Sequence, residues 1–212
     1  MLKSEFVKTR FKLAGLFHMT AVDNLDGILH YGIMPKNLAI KNGLQKCDIA
    51  AQDIQARRDT VVVKSGKTLH DYASFYFNPR NAMQYRVAHG NQYGTPRQIV
   101  IIGVKLSILD YMPFLFTNQN ASIRHGTNFY TDLNDLAKLD WKTVFADTWC
   151  ADNLIEKSMK KACMQAEMLI EGVVGTEFIG CIFCQSQNIQ KTLSLKYPNY
   201  RFRDPHPRLF FL

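Results

Sequence analysis

Phe17-His18-Met19-Thr20-Ala21-Val22-Asp23-Asn24-Leu25-Asp26-Gly27-Ile28-Leu29-His30-Tyr31-Gly32 is the stretch from which the architecture is read. Leu16 to Met19 is strand-like. Thr20 or Asp23 then offers a short polar side chain to cap a helix running from Asn24 through His30, and Gly32 supplies its stop signal. Strand, turn and helix thus follow one another at once, and the end of the strand lies where backbone N–H groups at a helix start can grip an anion.

Toward the C-terminus, residues 36–47 are mostly polar and read as irregular, Asp48 to Arg58 as a helix, Thr60 to Val63 as β-branched extended chain, and Lys64 to Lys67 as a loop. Ala73 to Phe77 predicts a second strand, ended at Asn78-Pro79 because proline lacks a donor and biases its predecessor away from helix. Asn81 to His89 reads as helix. Gln98 to Lys105 is the clearest strand, a continuous apolar run suited to the middle of a sheet. From Thr117 to Asp147 the chain is polar and rich in Asn, Asp and Thr, with a short helix-like piece near Asp132 to Leu139, which is the character of a long functional loop. A helix around Ile155 to Met164, a strand at Phe178 to Cys184, a helix around Gln187 to Leu195 and a terminal strand near Leu209 to Leu212 complete the expectation. Strands and helices mix without strict βαβ alternation, so the predicted class is α+β, and no repeat or linker divides residues 1–212 into more than one domain.

Nearly half of the 212 residues, 47%, are hydrophobic and 12% are aromatic, a composition that packs rather than remains disordered. The formal charge of +8 gives a surface that attracts polyanions. The first residues lack the long apolar core and small-residue cleavage site of a signal peptide, and no segment has the length of a bilayer span. Five scattered cysteines fit reduced thiols, so the expected compartment is the cytoplasm. Cys181 and Cys184 have metal-like spacing but lie in an apolar run without a second pair, which reads as a buried strand; no metal is expected.

Several residues could carry chemistry. Glu167, in Met164-Gln165-Ala166-Glu167-Met168-Leu169-Ile170, either faces a partly apolar cleft beside Leu169 or sits exposed on an edge strand. His18 and Thr20 either bind a ligand's ribose or phosphate or are a structural histidine and a cap. Arg57-Arg58 either complements the C-terminus of a helix or takes a phosphate in its planar fork. Arg80, just after Phe75-Tyr76-Phe77-Asn78-Pro79, pairs a guanidinium with aromatics, as single-stranded nucleic acid requires, or merely follows a core strand. The tail from Lys196 to Arg208 interleaves cations and aromatics in the same way. Walker, dinucleotide-fingerprint, zinc-protease, serine-hydrolase and zinc-deaminase motifs are all missing.

Taken together, Phe17 to Gly32, Ala56-Arg57-Arg58, Asp71 to Tyr85 and Gln165 to Leu169 resemble, in order and over most of the chain, the DarT family of DNA ADP-ribosyltransferase toxins. The resemblance implies an ADP-ribosyltransferase fold, with a split central β-sheet, flanking helices and NAD⁺ held between the two halves. By that resemblance His18, Met19, Thr20 and Gly27 contact NAD⁺, residues 39–58 cover it, and Arg57 is the functional arginine. Residues 125–167 form a substrate-reading loop that ends at the catalytic Glu167. Arg80, Met83, His125, Lys160 and Lys161 are the expected nucleic-acid contacts. The implied reaction attaches ADP-ribose to a base of single-stranded DNA, or alternatively RNA, and releases nicotinamide. A carboxylate that holds the ribose hydroxyl would stabilise the oxocarbenium character at the anomeric carbon. The implied partner is an antitoxin, of which a macrodomain ADP-ribosylglycohydrolase is one form. The chain departs from the family pattern at Ala73-Ser74, Ala82 and Lys160-Lys161.

Overall fold

The structure is a computed structural model, and it describes residues 1–90 and 98–211. In chain order the elements are α1 (Lys3–Phe11), β1 (Leu16–Ala21), α2 (Leu25–Tyr31), α3 (Lys36–Lys41), α4 (Gln52–Thr60), β2 (Tyr72–Tyr76), α5 (Ala82–Ala88), β3 (Ile99–Val104), α6 (Ile108–Tyr111), β4 (Phe114–Thr117), β5 (Phe129–Tyr130), α7 (Trp141–Val144), α8 (Leu154–Cys163), β6 (Glu167–Glu171), β7 (Ile179–Cys184), α9 (Gln187–Lys196) and β8 (Phe202–Arg203). The strands form one sheet in the order β5-β4-β6-β2-β1-β3-β7-β8. Every pairing is antiparallel except β7 with β8. This mixed sheet with flanking helices is the α+β architecture expected.

The sheet is nearly divided in its middle. β1 pairs with β3 along its whole length and β2 with β6 likewise, yet β1 and β2 are in register only at Phe17 and Tyr76. One face buries a continuous apolar cluster that includes Leu16, Phe75, Phe116, Ile102, Met168 and Ile182, and so spans both halves. The opposite face carries two separate clusters. Met19, Ala21, Ile99 and Ile101 lie on the β1–β3 half, and Tyr72, Leu115 and Leu169 on the β2–β6–β4 half. The strand period of two produces this sorting, since alternate residues of each strand serve opposite faces.

Local sequence explains the element boundaries near the division. Gly32 ends α2 at φ +84°, a left-handed conformation that L side chains resist, and any Cβ there would run into the Val174 carbonyl. The next residue, Ile33, bridges to Val174 and so ties the end of α2 to the β6–β7 connection. α5 starts at the buried Asn81, whose side chain accepts from the backbone N–H groups of Met83 at 3.0 Å and Gln84 at 3.3 Å.

Five expectations are corrected. Neither Thr20 nor Asp23 caps α2: Thr20 belongs to β1, Asp23 to a 3₁₀ turn, and the residue before α2, Asn24, makes no capping bond. Residues 36–47 are not wholly irregular, because Lys36–Lys41 forms α3. The β-branched run Thr60 to Val63 makes no strand; α4 extends through Thr60 and only Val62 bridges, to Thr68. The polar loop from Thr117 to Asp147 contains β5 and α7 in addition to the expected helical piece, a 3₁₀ segment at Leu133–Lys138. The terminal strand is instead β8 at Phe202–Arg203; Leu209 to Phe211 is unpaired, with Leu212 outside the described residues. That apolar tail is held by a side chain instead: Gln84 accepts from the Phe211 N–H at 2.8 Å and donates to the Leu209 carbonyl. α1, α6 and β4 were not anticipated. Among the described residues no helix is long and apolar enough to cross a membrane.

Candidate active site

A cavity of about 1240 Å³ opens at the division of the sheet, and His18, Ser74, Tyr76, Arg58 and Glu167 are among the residues that line it. Its floor follows from the register. Thr20 pairs with Val100 and His18 with Ile102, so these two side chains of β1 share the face of the continuous cluster. Glu167 pairs with Tyr76, which in turn pairs with Phe17, so the carboxylate stands on the opposite face. Only because β1 and β2 part beyond Phe17 and Tyr76 can groups from both faces reach one space.

Parting leaves backbone groups to be satisfied. The Ser74 carbonyl is met by Nδ1 of His18 at 3.0 Å. A carbonyl can only accept, so Nδ1 carries the proton. Burial lowers the pKa of His18 and outweighs the carbonyl's opposing effect, so the ring is neutral near pH 7 and its Nε2 is an acceptor. Met19 lines the cavity from the other face of β1 and is buried in the β1–β3 cluster, so it cannot present its side chain alongside His18 and Thr20. Thr20 accepts at Oγ1 from Asn24 at 3.1 Å, and the same Asn24 amide receives the N–H groups of Lys46 and Cys47 at 2.9 Å each. The segment before α4 is thereby pinned to the end of β1. Gly27, on α2, lines the cavity beside Leu44.

Glu167 is 1% exposed and hydrogen-bonded at both carboxylate oxygens. Arg58 donates to Oε1 at 3.0 Å through Nη1 and to Oε2 at 3.1 Å through Nη2, while Nη2 also reaches Ser74 Oγ at 2.8 Å. The backbone N–H of Ala121 donates to Oε1 at 2.9 Å. Asn120 shapes the turn that offers this donor by accepting from Ser122 N and Oγ. A buried charge persists only with such partners. Burial opposes the Arg58 charge, but the adjacent Glu167 carboxylate outweighs it and holds the guanidinium above its ordinary pKa. Burial, reinforced by the Glu167 charge, pushes the Tyr76 phenol up, so it stays protonated, and its hydroxyl donates to Met83 Sδ at 3.0 Å.

The helix that carries Arg58 is fixed by buried His70, whose ring nitrogens lie 2.5 Å from Asp59 Oδ1 and 2.7 Å from Gln55 Oε1. Gln55 in turn donates to Asp48 at 2.9 and 3.0 Å, and Lys36 pairs with Asp48 at 2.8 Å. Gln55 and Arg58 therefore occupy the inner side of α4, and the exposed Asp59 reaches His70 from the helix's edge. Arg57 falls on its outer side, half exposed and paired with Asp53 at 3.1 Å, although it still borders the cavity.

The remaining expected contacts separate. Arg80, Met83 and Lys161 line the cavity; His125 and Lys160 are not among its lining residues. His125 is exposed on the loop after β4, where its carbonyl accepts from Gln119, and Lys160 pairs with Glu156 at 2.9 Å. Arg58, Ser74, Tyr76, Asn24 and the Ala121 N–H were not singled out from sequence. Of these only Arg58 left a trace, as the second member of Arg57-Arg58. Among the described residues no group of three or more His, Cys, Asp or Glu could hold a metal ion, and all five cysteines are free.

A divided sheet with a clamped glutamate and a neutral histidine facing one cleft fits the ADP-ribosyltransferase class. The family model described as "ssDNA thymidine ADP-ribosyltransferase, DarT" matches residues 17–207, and the chain belongs to that family. It is 34% identical over 163 residues to the DNA ADP-ribosyl transferase of Thermus sp. (strain 2.9), covering 73% of each chain. The structure of that Thermus protein in complex with ADP-ribosylated single-stranded DNA superposes with a TM-score of 0.78 at 26% identity, over 94% of this chain and 97% of the other. A Thermosipho africanus DNA ADP-ribosyl transferase–DNA ADP-ribosyl glycohydrolase fusion protein is 24% identical over 200 residues, covering 93% of this chain and 49% of the fusion.

Proposed function

We propose that this enzyme transfers ADP-ribose from NAD⁺ to thymidine in single-stranded DNA, with Glu167 as the catalytic carboxylate. The observation that carries the reading is the carboxylate held by Arg58 and Ala121 at the only register point where the sheet's halves meet. Family membership and the Thermus structure with modified single-stranded DNA support the acceptor.

The residues fit NAD⁺. The cavity is larger than the usual small-ligand pocket and suits a dinucleotide. A further Thermus structure, in complex with NAD⁺, has a TM-score of 0.72 at 25% identity, covering 94% of this chain and 98% of the other. When bound, NAD⁺ supplies a ribose carbon that becomes electrophilic as nicotinamide leaves. The unprotonated Nε2 of His18 accepts from a ribose hydroxyl. Glu167 accepts from another and stabilises positive charge on the sugar, an effect strengthened in a dry, preorganised site. Arg58 holds that carboxylate in place and aims it. Arg57, exposed one position away, is left for the diphosphate. Thr20 and Gly27 border the same part of the cleft, with Asn24 holding the covering segment over it. Arg80 and Lys161 attract the strand's phosphates.

The biological reading is that of a toxin acting on the cell's own or an invader's DNA in the cytoplasm, countered by an antitoxin that removes the mark. The fused glycohydrolase of the Thermosipho relative supports a partner of that chemistry, such as a macrodomain.

The test incubates the purified protein with NAD⁺ and separate pools of single-stranded DNA, duplex DNA and single-stranded RNA, reading mass gain on each. Gain on thymidine-containing single-stranded DNA, lost in Glu167→Ala, is expected. Gain on RNA alone would replace the acceptor, and no gain anywhere with NAD⁺ intact would refute the enzyme reading.

A further inference from the structure

The half of the cavity facing away from α2 and α3 is built from aromatic rings that the reaction does not use. Tyr85 on α5, Trp149 before α8 and Phe211 in the C-terminal tail form a triangle with centroid separations of 5.5, 5.2 and 5.6 Å, all three contacts edge-on. Tyr85 is 37% exposed, the other two are half-buried, and all three line the cavity. Cations surround the triangle: the Arg80 guanidinium lies 4.1 Å from the Phe211 centroid, and Lys161 Nζ lies 5.6 Å from that of Trp149.

Arg80 is also held to the Asp147 carbonyl at 2.6 Å through Nη1, while its buried Nε–H has no hydrogen-bond partner. A buried donor of a charged group left unmatched is uncommon and expensive, and here it belongs to the guanidinium that packs on the Phe211 ring. Construction of the triangle is specific. Gln84 holds the chain on both sides of Phe210 through Leu209 and Phe211, which brings Phe211 onto Tyr85, and Asn81 sets the start of α5.

We propose that Tyr85, Trp149 and Phe211 are a stacking platform for a nucleobase adjacent to the acceptor nucleotide of a single strand, with Arg80 and Lys161 on the flanking phosphates. Aromatic faces beside spaced cations are the chemistry of single-strand capture. The adenine of NAD⁺ is the other base within reach of this cleft. The charge distribution favours the strand: Arg80 and Lys161 lie against the platform and Lys157 lines the same cavity, matching a run of phosphates rather than one diphosphate. This inference rests on the proposed single-stranded DNA acceptor.

The experiment uses the full chain and fluorescein-labelled DNA strands with a single thymidine, whose flanking nucleotides are either intact or replaced by abasic spacers. Trp149→Ala is expected to raise KM for the intact strand roughly 5- to 150-fold, the range of one lost stacking contact, with KM for NAD⁺ unchanged. On abasic strands the variant and the wild type should converge, and Trp149→Phe should regain most of the loss on intact strands, which separates stacking from misfolding. A wild-type KM for the intact strand in Trp149→Ala, or a rise in KM for NAD⁺ instead, overturns the platform. Should the wild type transfer nothing to DNA, the acceptor reading fails; anisotropy of the same strands without NAD⁺ then judges the platform, which is overturned if Trp149→Ala binds as the wild type does.

Discussion

Two adjacent arginines have opposite tasks, and helix geometry separates them. Neighbours on a helix point about 100° apart, so the turn that aims Arg58 at Glu167 aims Arg57 at solvent and Asp53. Removing one member of a buried ion pair strands the other, so Arg58→Ala should lower unfolding free energy by about 3–5 kcal/mol and abolish transfer. Arg57→Ala should stay within about 0.5 kcal/mol of wild type, as expected of an exposed pair, while raising KM for NAD⁺; urea unfolding and steady-state kinetics check both. This distinction was not legible in the sequence, where Arg57-Arg58 is a dipeptide without phase. The apolar neighbours of Glu167 left an inward and an exposed position both open, and the family resemblance, not the spacing, singled it out. His18 and His70 add a pH response. Burial lowers both pKa values below the ordinary 6.5, so the unfolded chain takes up protons that the folded one refuses. Stability should be fully present above pH 6.5 and fall as the pH drops below it. His18→Asn should flatten that slope when urea midpoints are compared at pH 8 and pH 5.5.

At the scale of elements, the strand–turn–helix that opens the site was legible because β1, α2 and Gly32 each carry a strong local signal. Gly32→Ala should destabilise by about 1–3 kcal/mol, since a Cβ there meets both an unfavourable φ of +84° and the Val174 carbonyl; a thermal melt measures it. Elsewhere burial without pairing misled the reading. Leu209 to Phe211 has a strand's apolar content, yet Phe210 packs on the β1–β3 cluster while the backbone is bonded to Gln84. α3 is short, with only half of its residues apolar, so tertiary contacts rather than propensity define it, whereas the 3₁₀ segment at Leu133–Lys138 falls on the expected helix-like piece.

Across the whole molecule, the formal charge of +8 includes the cations that line the cleft and that are proposed to meet the strand's phosphates. If four phosphates are neutralised there, log K for a single strand should fall with log salt at a slope of about −3, and Lys161→Ala should make that slope shallower by about 0.7. Anisotropy titrations over a range of ionic strength give both numbers. Composition predicts a surface that attracts polyanions but not the aromatic cluster beside it, because Trp149, Tyr85 and Phe211 are far apart along the chain and meet only after folding.

The near-division of the sheet has a mechanical side. A single register pair, Phe17 with Tyr76, staples two half-sheets that otherwise share the apolar cluster on one face and the His18–Ser74 hydrogen bond. That staple is a shear plane. Warming should let the halves slide there while each keeps its own ladders, so the distance between His18 and Glu167 would drift before either half melts. Catalysis in this enzyme should then fail several degrees below the temperature at which its circular dichroism does.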